Sequence, residues 1–323
     1  MDIVVVSLFD GISGARVALG KTGLNALRYY SSEIDKYALA VAQARHPQDN
    51  AYRLGDVRDI DGAALRKEIE EEFPNTPILL MGGFPCQAFS AAGRKLYFKD
   101  ERGKLFFDLL RIKEQLSPDY FLFENVKMKA EIKDILSEYL GCQPTEINSA
   151  LVSAQNRVRL YWTNWDVPQP EDKHIYLADI IEEGVVDREK SYAIDANYYK
   201  GGNLKQYFEK SRRQLVFTPA AMRGRYLDGK DKPATQVIEI KEDGKTNALT
   251  TVMKDNIVVY DINYRHLTPI ECERLQTYAD DWTLVAHPTK KNAMMSKTQR
   301  YKMLGNSFTV DVIAHILSYI KEA

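Results

Sequence analysis

"IVVVSLFDGISG", residues 3–14, decides the fold. A β-branched run ends in a short polar loop with two glycines, and a helical pattern begins at Ala15. A strand, a glycine-containing turn and a helix form the opening unit of an open α/β sheet. Glycine in such a turn lets a ligand approach the backbone closely. We therefore expect a first strand whose carboxyl end carries a binding loop.

The same alternation continues along the first half of the chain. Short apolar runs predict further strands, and helical spacing of apolar residues predicts helices between them. The predicted strands cover 27–33, 51–57, 77–83 and 118–126, and the predicted helices cover 35–46 and 61–72. This order favours a doubly wound, mostly parallel α/β sheet. The chain has 323 residues, so a second, smaller domain is expected beside the large one.

Composition narrows the functional class. The formal charge is −1, so any surface for nucleic acid must be local. The three cysteines are too few and too scattered for a disulfide framework, and no CxxC pair predicts a metal site. The N-terminus lacks the basic start of a signal peptide, and no apolar run approaches the roughly 18 residues that span a membrane. We expect a cytoplasmic protein in a reducing compartment.

Five reactive side chains fall at predicted strand ends: Asp10, Glu33, Asp56, Cys86 and Glu124. Parallel strands end at one edge of a sheet, so a single site is expected there. A carboxylate at the end of the second strand suits a ribose diol, which favours an adenosine-type cofactor. The first loop is not a GxGxxG fingerprint, however, and a simple tight turn remains the alternative.

The thiol of Cys86 lies in "GGFPCQAFSAAGR", residues 82–94. A free cysteine is most often a small buried hydrophobe. Here proline precedes it, Gln87 follows it, and the stretch to Gly103 is rich in Gly, Ser, Lys and Arg, which predicts a functional loop. Cys142 and Cys272 have no such setting, and we expect both to be packing residues.

Further motifs follow in a fixed order. They include "SSEIDKYA" at 31–38, "GDVRDI" at 55–60, "ENV" at 124–126, "AQNRVRLYW" at 154–162, "RHLTPIECERLQTYADDW" at 265–282 and "YKMLGNSFTV" at 301–310. Together with "LFDGISGARVALG" and the Pro-Cys-Gln loop, the chain resembles the DNA (cytosine-5)-methyltransferases of bacterial or phage type over nearly its whole length. The resemblance implies a Rossmann-like class I S-adenosylmethionine-dependent methyltransferase fold.

The resemblance also implies the cofactor and its site. S-adenosyl-L-methionine would be the methyl donor and S-adenosyl-L-homocysteine the product, with no metal. Phe9 would lie near the adenine, Glu33 would bind the ribose, and two residues of "GNS" would complete the pocket. The full set implied is Phe9, Asp10, Gly11, Gly14, Glu33, Ile34, Asp56, Val57, Pro85, Leu105, Asn306 and Ser307.

The catalytic residues implied are Cys86, Glu124, Arg157 and Arg159. The Cys86 thiolate would add to carbon 6 of cytosine, which makes carbon 5 nucleophilic. A protonated Glu124 would donate to N3, and the two guanidiniums would hold the base carbonyl and a nearby phosphate. The target base must leave the duplex stack. Three loop residues would close over the DNA: Gln87, Ser90 and Arg94.

The segment 186–263 lacks these motifs. Between 198 and 233 it carries nine Lys or Arg against three Asp or Glu, a local charge of +6, with aromatic residues interleaved. We interpret it as a small target-recognition domain that contacts double-stranded DNA through Arg223, Arg225 and Tyr226, although a solvated basic face remains the alternative. Residues 1–185 would form the catalytic domain, 264–323 would return to it, and the protein would be a monomer.

Other functions fit the sequence less well. An RNA methyltransferase would share the fold, but the separate basic segment favours DNA. A non-catalytic DNA-binding regulator would not need Cys86, Glu124 and Asn306 together. A thiol redox sensor would need a resolving cysteine, and a nicotinamide dehydrogenase would need a dinucleotide loop. The target sequence, and whether the enzyme serves a restriction system, a phage or a solitary regulator, stay open.

Overall fold

The fold is taken from a computed structural model. It describes residues 1–85, 101–201, 204–225, 235–240 and 256–320.

The described strands were predicted well in the first half of the chain. The sequence predicted strands over 3–9 and 118–126, and the structure has them at Asp2–Leu8 and Tyr120–Val126. In chain order the strands are β1 Asp2–Leu8, β2 Asn25–Ser32, β3 Arg53–Gly55, β4 Ile78–Gly83, β5 Tyr120–Val126, β6 Thr145–Asn148, β7 Gln155–Asn156, β8 Val158–Thr163, β9 Ser191–Tyr192, β10 Leu215–Arg225, β11 Thr235–Ile240 and β12 Asn256–His266.

Seven of these strands form the large sheet, in the order β3-β2-β1-β4-β5-β8-β6. Strands β1 to β5 pair in parallel, and β8 runs antiparallel to both of its neighbours. The strand order turns back at β1, so the carboxyl ends of β1 and β4 flank a crevice where ligands of such sheets bind. The predicted doubly wound, mostly parallel sheet is confirmed.

The helices cover both faces of this sheet. In chain order they are α1 Gly14–Leu19, α2 Lys36–Arg45, α3 Gly62–Glu72, α4 Glu101–Leu116, α5 Ala130–Leu140, α6 Leu177–Ile180, α7 Leu204–Lys210, α8 Pro269–Leu275, α9 Lys297–Asn306 and α10 Val310–Leu317. Side chains of a strand alternate between faces. Accordingly Ile3 and Val5 belong to one buried apolar cluster, and Val4 and Val6 to the other. None of the helices in the described segments has the length and apolar character that crossing a bilayer requires.

The C-terminal helices complete the first of these clusters. Residues between Leu267 and Ile320 are buried in it together with Ile3, and α10 packs against α1. Cys272 is 1% exposed in this cluster, and burial raises the pKa of its thiol well above the usual range. Cys142 packs, half-buried, against the second cluster. Both thiols are therefore packing residues, as predicted.

A separate three-stranded antiparallel sheet has the order β11-β10-β12. Leu215 and Phe217 of β10 form a small buried cluster with Tyr207 of α7. Strand β12 continues to His266, three residues beyond the boundary predicted from the sequence. A target-recognition domain over 186–263 stays a prediction.

Candidate active site

One cavity lies at the carboxyl ends of β1, β2, β4 and β5, where α9 crosses the edge of the sheet. Its volume is about 610 Å³, including the mouth that opens to solvent. The sequence predicted a single site at this edge. The residues that line the cavity are Phe9, Asp10, Gly11, Ile12, Glu33, Asp35, Ala38, Gly83, Glu124, Lys302, Met303, Asn306, Ser307 and Phe308.

The loop after β1 forms the floor of the cavity. Phe9, Gly11 and Ser13 all have left-handed backbone, with φ values of 55°, 58° and 60°. This conformation is unusual for a bulky residue such as Phe9, and the surrounding structure must hold it. A Cβ on Gly11 would meet no atom within 4 Å, so the space beside this backbone is open for a ligand.

Asp10 holds that loop from beneath. It is 3% exposed and accepts hydrogen bonds from the hydroxyls of Ser7, Ser13 and Tyr29. Burial raises the pKa of Asp10, although the three hydroxyl donors favour its charged form. The hydroxyls therefore fix the Asp10 carboxylate in one orientation at the cavity floor.

Glu33, at the end of β2, connects the two loops that face the cavity. Its Oε2 accepts the Gly11 N–H at 2.8 Å, and its Oε1 accepts the N–H groups of Ile34 and Asp35, both at 2.7 Å. Burial raises the pKa of Glu33, and these backbone donors act in the opposite direction. A carboxylate offers about four acceptor positions, so one remains on Oε2 for a ligand hydroxyl.

The opposite wall comes from α9 and the turn that follows it. Lys302, Met303 and Asn306 lie at helical spacing on one face of α9 and line the cavity. The hydroxyls of Ser307 and Tyr278 are 2.6 Å apart. A Cβ on Gly14 would lie 2.4 Å from the Tyr278 hydroxyl, so glycine there permits close packing, and the contact of Gly14 with a cofactor stays a prediction.

Glu124, on β5, also lines the cavity. The Arg159 Nε is 3.0 Å from its Oε1, and both side chains are largely buried. Arg159 pairs with Val126 across the β5–β8 ladder, which places it diagonally from Glu124 on the same face. Gly83 pairs with Glu124 on the other side, and a Cβ there would lie 3.1 Å from the Glu124 Oε2. This face of the sheet therefore holds the carboxylate between a cation and a glycine.

Asn125 supports the start of the Pro-Cys loop. It is 1% exposed, and its Nδ2 donates to the carbonyl of Phe84 at 3.2 Å. Pro85 is the last described residue after β4. In the "ENV" motif, Glu124 therefore lines the cavity, and Asn125 holds the backbone just before Pro85 and Cys86.

Arg157 has a different environment from Arg159. It is 4% exposed, and its guanidinium donates to the carbonyls of Ile194, Gly305 and Ser307 at 2.8, 3.1 and 2.9 Å. Burial, together with the charge of Arg159, lowers the pKa of Arg157. In the described structure Arg157 holds the "GNS" turn, and a direct contact with the base stays a prediction.

Other residues predicted for the cofactor lie outside the cavity lining. Ile34 is 67% exposed beside Glu33, and Asp56 caps a short helical turn and pairs with Arg58. Val57 is buried in the second cluster, and Leu105 packs, partly buried, against the same cluster. Their contacts with a cofactor, and that of Pro85, stay predictions.

Several predicted residues fall outside the described part of the chain. These are Cys86, Gln87, Ser90, Arg94 and Tyr226, and the side chains of Arg223 and Arg225 are likewise not described.

The sequence profile of the C-5 cytosine-specific DNA methylases matches residues 3–322. This chain belongs to that family. The methylase is 30% identical to the Type II methyltransferase M1.ScrFI of Lactococcus lactis subsp. cremoris, over 98% of this chain and 78% of that protein. It is 29% identical to the Type II methyltransferase M.NlaX of Neisseria lactamica, over 99% of this chain and 96% of that protein. The S. pombe Dnmt2 methyltransferase has the same fold, with a TM-score of 0.60, 16% identity and 97% coverage of each chain. The methylase is accordingly an enzyme, as predicted.

The methylase cavity also includes residues that sequence reasoning missed. They are Ile12, Asp35, Ala38, Gly83, Lys302, Met303 and Phe308. A usable signal existed for two of them, since Lys302 and Met303 precede Asn306 by four and three residues and a helix places all three on one face.

Proposed function

We propose that this DNA methylase transfers the methyl group of S-adenosyl-L-methionine to carbon 5 of a cytosine flipped out of double-stranded DNA. One observation carries the proposal: Glu33 and Glu124, predicted to bind the ribose and the base, line the same cavity. A methyl donor and a cytosine held by these two groups would lie side by side.

The described residues fit an adenosyl cofactor. The cavity opens at the carboxyl ends of the strands of the large sheet, where ligands of such sheets bind. Glu33 keeps one acceptor position for a ribose hydroxyl, and the exposed Ile34 side chain beside it offers an apolar surface for adenine. Gly11 leaves open space against the loop backbone. When bound, S-adenosylmethionine supplies a methyl group on a positively charged sulfur.

Cys86 supplies the nucleophile in this proposal. The sequence places it three residues after Gly83, which pairs with Glu124 in the sheet. Its thiolate would form a bond to carbon 6, and the electrons of the carbon 5–carbon 6 double bond would become available at carbon 5. After methylation, carbon 5 loses its proton and the sulfur–carbon 6 bond breaks, which restores the aromatic ring and the thiolate.

Glu124 and Arg159 would stabilise the negative charge that develops on the base during this addition. Negative charge develops toward N3 of the base, and a proton donated by Glu124 would offset it. Arg159 lies 3.0 Å from Glu124 and is permanently charged, so it can orient that carboxyl group and hold the base carbonyl. Asn125 and Arg157 would act as positioning residues, because they hold the loop entrance and the "GNS" turn.

The DNA would lie across the cavity mouth. Gln87, Ser90 and Arg94 would contact it from the loop after β4, and Arg223, Arg225 and Tyr226 from the basic segment. The relatives named above are Type II methyltransferases, which supports a role in a restriction–modification system. We infer that the protein acts as a monomer in the cytoplasm of a bacterial or phage-infected cell.

Mechanism-based trapping tests the proposal. Fluorine at carbon 5 cannot leave as a cation, so elimination is blocked after methylation and the protein stays attached to the DNA. A duplex that carries 5-fluorocytosine at the target should give a complex stable to denaturing electrophoresis, only when S-adenosylmethionine is present. Bisulfite sequencing of plasmid DNA from expressing cells identifies the target sequence for this duplex.

Matched variants separate the roles of the residues. Cys86→Ala should form no complex, Glu124→Gln should form it much more slowly, and Cys142→Ala and Cys272→Ala should match the wild type. A complex that survives in Cys86→Ala would overturn the nucleophile assignment. No complex from wild-type protein on DNA shown to be methylated would overturn the covalent mechanism.

A further inference from the structure

The cavity lining is strongly acidic. It contains four carboxylates, Asp10, Glu33, Asp35 and Glu124, and within the described lining a single basic side chain, Lys302. An acidic site suits the positive sulfur and ammonium of S-adenosylmethionine. The same molecule also carries a carboxylate on its methionine part, which such a lining would repel unless a cation receives it.

Lys302 pairs with one of the four carboxylates, Asp35, and the other three have different partners. Asp10 accepts from three hydroxyls, and Glu33 accepts from three backbone N–H groups. Glu124 pairs with Arg159, whose guanidinium is not part of the lining. Lys302 is therefore the cation that the cavity itself offers.

Lys302 is held at the cavity wall by Asp35. Its Nζ donates to the Asp35 Oδ2 at 2.8 Å, and the side chains are 43% and 31% exposed. An ammonium group has three donors, and in the described structure this contact uses one of them. Burial raises the pKa of Asp35, but the hydrogen bonds from Lys302 and the Tyr37 N–H outweigh it and leave that pKa lowered. Two donors of Lys302 thus remain for an anion in the cavity.

We propose that Lys302 binds the carboxylate of the methionine part of the cofactor, and that Asp35 holds the ammonium in position for it. This inference rests on the proposed function, since it concerns the same cofactor. It adds a specificity determinant: the site would distinguish amino acid derivatives of adenosine from those that lack the carboxylate.

A purely structural role for the pair makes a different prediction. The Lys302–Asp35 bridge also connects α9 to the start of α2. If it only fastened these helices together, removing either partner would weaken every adenosyl ligand equally. The ligand's carboxylate therefore distinguishes the two roles.

Calorimetry on the DNA-free protein with two ligands tests the proposal. S-adenosylmethionine carries the carboxylate, and decarboxylated S-adenosylmethionine lacks only that group. Lys302→Met should weaken S-adenosylmethionine binding about tenfold, the effect of one partly exposed charge-assisted contact. The same variant should bind the decarboxylated ligand unchanged or more tightly, because a positive charge has left the wall. Lys302→Arg should restore most of the loss.

Two further variants complete the design. Lys297→Met, at the exposed start of α9 and outside the lining, should bind both ligands like the wild type. Asp35→Asn removes the charge that positions the Lys302 ammonium, so it should weaken S-adenosylmethionine binding, by less than Lys302→Met does, and should leave binding of the decarboxylated ligand unchanged. Equal losses for both ligands in Lys302→Met, or no loss for either, overturns the assignment while leaving the proposed function intact. Wild-type protein that binds neither ligand overturns the proposed function and this inference with it.

Discussion

The guanidinium of Arg159 lies 3.0 Å from the carboxylate of Glu124, across the antiparallel ladder of β5 and β8. The large sheet otherwise places its functional groups at parallel strand ends. Here a reversed strand brings a permanent cation to the same face, two positions away from the acid. In the proposed mechanism, catalysis therefore depends on the sheet topology at this contact.

Replacing Arg159 tests that connection. Arg159→Ala should lower the turnover number by about a hundredfold or more, since it removes the group that orients Glu124, the proposed acid. Binding of S-adenosylmethionine to the DNA-free protein should change little, because Arg159 does not line the cavity. Single-turnover methylation and calorimetry measure the two effects. Unchanged turnover would show that the ion pair has no catalytic role.

Glu33 is expected to dominate cofactor affinity. Glu33→Ala removes the proposed ribose contact, a charge-assisted hydrogen bond worth about 1.5–3 kcal/mol, or roughly ten- to more than a hundredfold in affinity. It also leaves the N–H groups of Gly11, Ile34 and Asp35 without their acceptor, so the melting temperature should fall. Glu70→Ala, on the exposed face of α3, should leave both quantities unchanged. Calorimetry that finds wild-type affinity in Glu33→Ala contradicts the ribose assignment.

Arg157 should matter first for stability. Arg157→Met would leave the buried carbonyls of Ile194 and Gly305 without this donor, at about 1–3 kcal/mol for each one that water cannot reach, while the Ser307 carbonyl would keep the hydrogen bond from Gln276 Nε2. A clear decrease in the urea midpoint is expected, together with weaker cofactor binding through the displaced Ser307. If the urea midpoint is unchanged and only methylation is lost, the direct base contact predicted from the sequence is the better account.

Some of these site residues could be predicted from the sequence, and others could not. Glu33 and Glu124 were predictable because strand ends can be recognised locally and parallel strands share one edge. The contact of Lys302 with Asp35 could not be predicted, because the two residues are 267 positions apart; the spacing from Asn306 indicates only the helix face on which Lys302 lies. The environment of Arg157 could not be predicted either, since its partners are backbone carbonyls that leave no mark on the sequence.

His46 predicts a pH dependence of stability. Burial, and then the charge of Arg16, lower its pKa from 6.5 to about 4 in the folded protein. Between these values the unfolded chain binds a proton that the folded chain excludes, so the free energy of unfolding should decrease as the pH falls from about 6.5 towards 4. His46→Phe keeps a ring against Trp282 but cannot titrate. Urea midpoints at pH 7.5 and 5.5 should therefore differ less in His46→Phe than in the wild type. An equal difference in both proteins contradicts the assignment.

The backbone passes very close to Gly305 at Asp195, and this contact limits where chimeras of such enzymes can be joined. A Cβ on Gly305 would lie 2.2 Å from the carbonyl carbon of Asp195, so the chain that leaves the sheet touches the end of α9 there. On the return side, Tyr301 fixes the carbonyl of Leu267 at 2.7 Å. A chimera that takes its DNA specificity from a relative should therefore be spliced after Ala196 and before Leu267. Grafts cut outside these two points would bring a foreign backbone into the wall of the cavity at the sheet edge.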